Sequence, residues 1–320
     1  MAASRSTGPI RRGVAGKHVE VAVSEELYAP VGTGIELCYQ TYGDSGAEPL
    51  LLVMGLGGPM NWWDPVLCES LARAGFFVIR YDNRDTGRSG QGHGRVTRGQ
   101  LVRAFGGAAT RAPYSLHDLA EDAFGLLDHL GIVRTNLVGV SMGGMIAQTM
   151  AIDDPARVAS LVSIMSTTGR RTVGWQDPRL LPRLLGRRPR TREEYIDRSA
   201  KTWAIIGSPG FPQDWEKTRT RAGETYDRGV SGSGLLRQML AVLTQPDRTG
   251  QLRGLSVPAA VVHGTSDRLV HLSGGRATAA AIPGAELLLV DGMGHDLPPE
   301  LFDTFTKVVR RTADRAVHTS

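Results

Sequence analysis

An α/β chain built on a doubly wound, mostly parallel sheet is what this sequence predicts, and three observations carry the expectation. Short continuous apolar runs recur along it, among them Leu50–Met54, Phe76–Tyr81, Asn136–Val140 and Ala259–Val262. Runs of this kind suit strands covered on both faces, as a parallel sheet requires. Segments with apolar residues at helical spacing fall between them, and strands alternating with helices imply right-handed crossovers. At 320 residues, 41% hydrophobic and 22% charged, the chain suffices for one large domain or for a core carrying an insertion.

The elements follow in order. Residues 1–18 are basic and rich in small residues, with Arg5, Arg11, Arg12 and Lys17. They lack the apolar core of a secretory signal and are expected to be a disordered tail. Val19–Val23 alternates as an edge strand, and Ile35–Thr41 reads as a second. Leu50–Met54 is a buried strand that runs into Gly55-Leu-Gly-Gly-Pro59. A helix from about Asn61 to Ala74 leads to the strand Phe76–Tyr81. Asp118–Leu130 is a helix with Leu119, Phe124, Leu126, Leu127 and Leu130 available for its buried side. The strand ending at Val140 and its helix come next, the helix stopping before Pro155, and Val158–Met165 is a further strand.

From about Arg170 to Gly254 the pattern changes to scattered Pro, Trp and Arg, short amphipathic pieces and no strand-like run. Residues 19–169 and 255–320 are therefore expected to form the core, with 170–254 a helical cap inserted over the strand ends. Its crowded arginines (Arg170, Arg171, Arg179, Arg183, Arg187, Arg188, Arg190 and Arg192) read as a solvated face. Alternation then resumes with the strand Ala259–Val262, a helix over Gly274–Ala281, the strand Ala285–Val290 and a closing helix over Leu301–Arg311.

Composition narrows the function classes. No apolar run approaches the roughly 18 residues needed to span a bilayer. The net charge of +5 is arginine-driven, but no basic stripe is interleaved with aromatics, so a nucleic-acid partner is not expected. Cys38 and Cys68 read as buried free thiols, which suits a cytoplasmic protein. No metal or cofactor is expected, and a monomer or homodimer is.

The chemistry centres on Asn136–Thr149. In Gly139-Val-Ser141-Met-Gly143 a serine lies between a strand and a helix, the pattern G-x-S-x-G of a nucleophile elbow. In a chain with 40 glycines the pentapeptide alone can arise by chance, and the strand and helix on either side are what discriminate. The helix that follows points its free amides and positive dipole end at any anion formed there. A serine hydroxyl is a weak nucleophile and needs a base within hydrogen-bond reach. Imidazole can take that proton near neutral pH, and a buried carboxylate holds the ring in the required tautomer.

In open α/β sheets the site lies beyond the carboxyl ends of the strands. The loop after Ala259–Val262 carries Asp267, and the loop after Leu287–Val290 carries His295. With Ser141 they give the order Ser, Asp, His. His18, His93, His117, His129 and His318 fall at termini, in surface loops or on helices. His263 and His271 could line the site, whereas His295 stands between glycine-rich turns after the last strand. Asp291 and Asp296 rival Asp267, but both read as turn and capping residues. The tetrahedral oxyanion also needs donors. The backbone N–H of Met142 is one, and that of Leu56 the other, with Gly57 as second choice.

The stretches around Ser141, Asp267 and His295, with Val-Met54-Gly-Leu-Gly-Gly58, resemble the α/β-hydrolase fold superfamily. Together with Val78-Ile-Arg-Tyr-Asp-Asn-Arg-Asp-Thr-Gly-Arg-Ser89 they are similar to bacterial serine esterases of the aclacinomycin methylesterase kind. Met54 stands where many relatives have a histidine. The resemblance implies that Asp82, Arg84 and Ser89 tie together the turn after a strand. It also implies carboxylic-ester hydrolysis through an acyl-enzyme on Ser141. Lactonases, cofactor-free haloperoxidases or perhydrolases and carbon–carbon bond hydrolases share the triad, and some members of the fold are small-molecule receptors. A serine at the elbow argues against the dehalogenases and epoxide hydrolases, which use aspartate there. The expected substrate is a small to medium apolar or aromatic ester, a methyl ester included. Gly57, Trp62, Trp63, Trp175 and Trp203 are the candidate pocket residues, with core packing as the alternative for the tryptophans.

Overall fold

The computed structural model of the chain describes residues 20–180 and 189–317. The basic tail at 1–18 and three of the crowded arginines, Arg183, Arg187 and Arg188, lie outside the described residues. Eight strands form one sheet: β1 (Leu27–Pro30), β2 (Glu36–Tyr42), β3 (Glu48–Val53), β4 (Phe76–Tyr81), β5 (Thr135–Val140), β6 (Val158–Ile164), β7 (Ala259–Gly264) and β8 (Glu286–Val290). Their spatial order is β1-β2-β4-β3-β5-β6-β7-β8. The first two pairings, β1 with β2 and β2 with β4, are antiparallel, and all others are parallel.

Alternation along the strands sorts the core into two layers. Leu51, Val53, Ile79, Tyr81, Leu137 and Leu161 face one side, against α3 (Leu116–His129) and α4 (Met142–Asp153). Leu50, Leu52, Val78, Val138, Val162 and Val262 face the other. There they meet α1 (Pro65–Arg73) and the closing helix, Phe302–Val317. The doubly wound α/β expectation holds.

Two differences stand out at the sheet's early edge and just after β4. Val23 makes only an isolated bridge to Tyr42, while the edge strand is Leu27–Pro30. Its burial is confined to Ala29, so it carried no apolar alternation to read. The second is α2 (Arg98–Phe105), where Thr97 and Gln100 form a reciprocal capping box. That T-x-x-Q spacing was the available signal, masked by a mean composition too polar for a core helix.

Between β6 and β7 the described chain holds helices and no strand: α5 (Arg192–Ile206), α6 (Trp215–Arg228), α7 (Gly232–Thr244) and the short α8 (Thr249–Leu252). Polar side chains of α6 and α7 fasten these two to the loop after β4. Arg228 binds Asp82 and Glu26, Arg237 binds Asp85 at 2.5 Å, and Tyr114 completes the Asp85 cluster at 2.7 Å. Burial draws the Asp85 carboxyl upward, but the hydrogen bonds from Arg237 and Tyr114 outweigh it and hold it below the ordinary carboxylate value. Within that loop Asp82 also accepts from the Met60 and Arg88 N–H groups, Arg84 pairs with Asp122, and Ser89 donates to the Asp82 carbonyl. Cys38 and Cys68 are buried free thiols, and burial pushes each to about 12. Among the described residues no helix is long and apolar enough to cross a membrane.

Candidate active site

Ser141 follows β5 directly and adopts φ 57°, ψ −120°, a conformation that L-residues avoid unless their surroundings enforce it. The enforcement is steric and local. A Cβ on Gly139 would collide with the Gly143 carbonyl, and one on Gly143 with the Val53 carbonyl. Both positions must therefore be glycine for the turn to close. The Ser141 N–H donates to the Ile164 carbonyl at 2.9 Å, and Ser166 Oγ donates to the Ser141 carbonyl at 2.8 Å. The side chain is left half-buried, and among the described residues its hydroxyl has no hydrogen-bond partner.

Asp267 and His295 come from the loops after β7 and β8, and the fold brings them together. His295 Nδ1 is 2.7 Å from Asp267 Oδ2. An ionised carboxylate can only accept, so Nδ1 carries the hydrogen and Nε2 is the basic nitrogen. The other oxygen of Asp267 accepts from the Leu269 and Val270 N–H groups, both at 2.9 Å, which fixes its orientation. His295 is fixed in turn by its backbone N–H on the Ile206 carbonyl at 2.6 Å. Its Nε2, like the serine hydroxyl, has no bonding partner among the described residues.

The rival histidines and acids are engaged elsewhere. His263 is fully buried and donates from Nε2 to the Val270 carbonyl at 2.8 Å; burial pulls its pKa down. His271 bonds Ser273 and stacks on Trp175. Asp291 accepts from Thr265, and Asp296 from Ser208. Burial raises the Asp296 carboxyl above its ordinary value.

The glycine loop 55–58 crosses beside the serine: a Cβ at Gly55 would stand 3.2 Å from the Ser141 Cβ. The Gly57 N–H is occupied, donating to Gln238 Oε1 at 2.9 Å. The Leu56 N–H has no partner among the described residues. Met142, at the first position of α4, belongs to the turn whose amides find no intrahelical acceptor. Between the two loop residues weighed from sequence, Leu56 thus has the available donor.

The tryptophans separate into three environments. Trp62 and Trp203 meet edge to face at 5.4 Å, both half-buried. Trp63 is 1% exposed and packs in the core with Cys68, Leu71 and Phe76, so the alternative of core packing holds for it. Trp175 is 53% exposed and stacks on His271 at 4.1 Å, outside the Trp62–Trp203 pair. Two residues that the sequence reading missed are Gln238 and Arg221. Gln238 is fully buried and also donates to the Arg84 carbonyl and Thr86 Oγ1, each at 2.8 Å. Arg221 lies over both Trp62 and Trp203. Neither follows from a local pattern, because each has a partner more than a hundred residues away, Trp62 for Arg221 and Gly57, Arg84 and Thr86 for Gln238.

The profile of the alpha/beta hydrolase fold matches residues 48–300, most of the chain. The chain belongs to the α/β-hydrolase fold family. It is a hydrolase of this fold with an eight-stranded, mostly parallel sheet. Among its relatives is rhodomycin D methylesterase DauP of Streptomyces sp. (strain C5), 29% identical over 82% of this chain and 90% of that protein. Rhodomycin D methylesterase DnrP of Streptomyces peucetius is 28% identical over the same shares. Of solved structures, the enol-lactonase from Burkholderia xenovorans LB400 is similar with a TM-score of 0.66 and 26% identity, covering 89% of this chain and 99% of that one.

Proposed function

We propose that this α/β hydrolase is a serine esterase that cleaves carboxylic esters through an acyl-enzyme on Ser141. The observation that carries the reading is the Asp267–His295 pair, bonded through Nδ1 and leaving Nε2 as the base, on the same strand-end side as a serine held in a positive-φ elbow. Ser141 Oγ attacks the ester carbonyl carbon as His295 Nε2 takes its proton. The oxyanion is received by the N–H groups of Leu56 and Met142. The tetrahedral intermediate collapses by breaking the bond to the alcohol oxygen, which leaves with the proton from His295. Water, deprotonated by the same nitrogen, then attacks the acyl-enzyme, and the acid leaves as Ser141 regains its hydrogen.

Residues 170–254 act as a cap over this site, with Trp62 and Trp203 forming an apolar wall for a small to medium apolar or aromatic ester. The two relatives named methylesterases support extending the substrates to methyl esters. A second reading, hydrolysis of a lactone by the same steps, is favoured by the likeness to an enol-lactonase. A series of 4-nitrophenyl esters from acetate to octanoate tests the first. Multiple turnover that disappears in Ser141→Ala is expected. A single stoichiometric burst, or lactone cleavage with no ester cleavage, overturns it.

A further inference from the structure

Three cations of α6 lie along one side of that helix, at Lys217, Arg221 and Arg228. Lys217 reaches Asp64 at 2.7 Å, and Arg228 reaches Asp82 at 2.8 Å and Glu26 at 2.5 Å. Arg221, between them, has no carboxylate within ion-pair reach and makes no side-chain hydrogen bond among the described residues. Its guanidinium lies instead 5.0 Å from the Trp203 ring and 5.7 Å from that of Trp62.

Both indoles are tied to the catalytic loops. Trp62 closely follows the glycine loop that carries Leu56, and its Nε1–H is fixed on Thr225 Oγ1 at 2.9 Å. Trp203 stands one turn before Ile206, whose carbonyl receives the His295 N–H. The cation therefore lies beside a pair of rings, one tied to the glycine loop and the other to the segment that holds the His295 backbone. Its opposing charges, Asp296, Asp64 and Glu224, act only at longer range. Asp296 accepts from Ser208, Asp64 is taken by Lys217, and Glu224 is exposed.

A guanidinium offers a planar fork of donors matched to a carboxylate, and it keeps its charge even where burial draws its pKa down, as here. A cation over two rings gains attraction without using its N–H groups as hydrogen-bond donors. Two apolar rings with a cation beside them suit a chain that ends in an oxyanion.

We propose that Arg221 is an anion subsite, which receives a carboxylate carried by the substrate away from the scissile ester while Trp62 and Trp203 cover the apolar segment between. This deepens the esterase reading and rests on it. The substrate class is thus the half-ester, an ester whose acyl part bears a free acid.

The test compares mono(4-nitrophenyl) glutarate with 4-nitrophenyl 4-carbamoylbutanoate, which differ only in carboxylate against amide. A hydrogen-bonded charge pair of this kind gives a preference of about ten- to hundredfold in kcat/KM for the acid. Arg221→Met should lose most of that preference, and Arg221→Lys should keep part of it. Equal rates in the wild-type enzyme, or an unchanged ratio in Arg221→Met, overturn the proposal. A readout on wild-type protein needs no variant and no turnover: quenching of tryptophan fluorescence by 4-phenylbutyrate and by 4-phenylbutyramide. The acid should bind at least about tenfold tighter, less so at high salt; equal affinity overturns the subsite. Tight binding of the acid without hydrolysis of either ester leaves the subsite standing and removes the esterase. Ser141-dependent hydrolysis of both esters at equal rates does the reverse.

Discussion

The sheet half and the helical half of this hydrolase hold the groups of the proposed site by different means. In the sheet half, position comes from the backbone. Ser141, Asp267 and His295 each stand just past a strand end, and glycines at 139 and 143 close the elbow where no side chain would fit. In the helical half, position comes from side-chain clasps onto two loops: Arg228 on Asp82, Arg237 on Asp85 and Gln238 on Arg84 and Thr86 after β4, and Gln238 on Gly57 in the glycine loop. Chemistry placed by backbone should survive side-chain exchange in everything but activity. Elements placed by clasps should lose stability when one clasp is removed.

The largest expected effect separates the two cleanly. Ser141→Ala removes a half-buried hydroxyl with no bonding partner among the described residues, from a backbone that its neighbours already enforce. Turnover of a 4-nitrophenyl ester should fall by about 10⁴ to 10⁶. Stability in denaturant should stay within about 0.5 kcal/mol of wild type. A variant that loses several kcal/mol would mean that the elbow depends on the hydroxyl, and the contrast with the helical half would fail.

Arg237→Met is the counterpart. Arg237 is 5% exposed and Asp85 3%, so the change leaves a buried carboxylate without its cation. Breaking one side of such a pair costs about 3–5 kcal/mol. The sign with pH follows from Asp85, whose carboxyl is held below its ordinary value in the folded protein. A depressed folded value means that the stabilisation is present above the unfolded value, about 3.9, and is lost as pH falls through the folded one. The gap between wild type and Arg237→Met, measured by urea unfolding, should be full at pH 7 and shrink below about pH 4. A gap that does not narrow would assign Arg237 to packing alone.

The same contrast explains what could be read from the sequence. Strands such as Phe76–Tyr81 are visible because apolar residues adjacent in sequence are adjacent on the sheet, and the order of residues at strand ends then follows from topology. The edge strand Leu27–Pro30 was missed because only Ala29 of its four residues is buried. The resemblance implies a tied turn from Asp82 to Ser89, which the fold has, yet its grip on α6 and α7 is not legible in the sequence. Arg228 and Arg237 look like any surface arginine until the fold supplies an acid from far away in the chain. Arg221 and Gln238 are illegible in a related way, because the rings, backbone groups and hydroxyl they meet are brought to them only by the fold. Trp62 and Trp203 could be named as candidates but not distinguished from Trp63, since an indole beside the glycine loop and one in the core carry the same local signal.

Gln238 joins the helical half to the glycine loop as well, and its effect should be intermediate. Its side chain accepts from Gly57 beside Leu56, the proposed donor, so Gln238→Leu leaves a part-buried N–H unpaired at a cost of about 1–3 kcal/mol. If the clasp orients the Leu56 amide toward the oxyanion, the loss should appear in kcat by about ten-fold or more, with KM little moved. Gln238→Glu, which keeps the acceptor for Gly57, should recover part of kcat. A Gln238→Leu enzyme of lower stability and unaltered kcat would reduce the residue to a structural clasp.

The smallest effect should come from Trp175, and it sharpens the boundary of the helical half. Its indole is 53% exposed and rests on the His271 ring at 4.1 Å, with the planes 15° apart. An aromatic pair contributes about 0.5–1.5 kcal/mol when well covered, and this one is open to water on one side. Trp175→Ala should therefore cost less than about 1 kcal/mol. It should change kcat/KM by less than about threefold across acetate to octanoate esters, because the ring stands outside the Trp62–Trp203 pair and no clasp depends on it. A drop that grows with acyl length would mean that the chain entering the helical half also lines the acyl pocket. In that case substrate selection would not begin at the wall formed by Trp62 and Trp203, but already at the segment leaving β6.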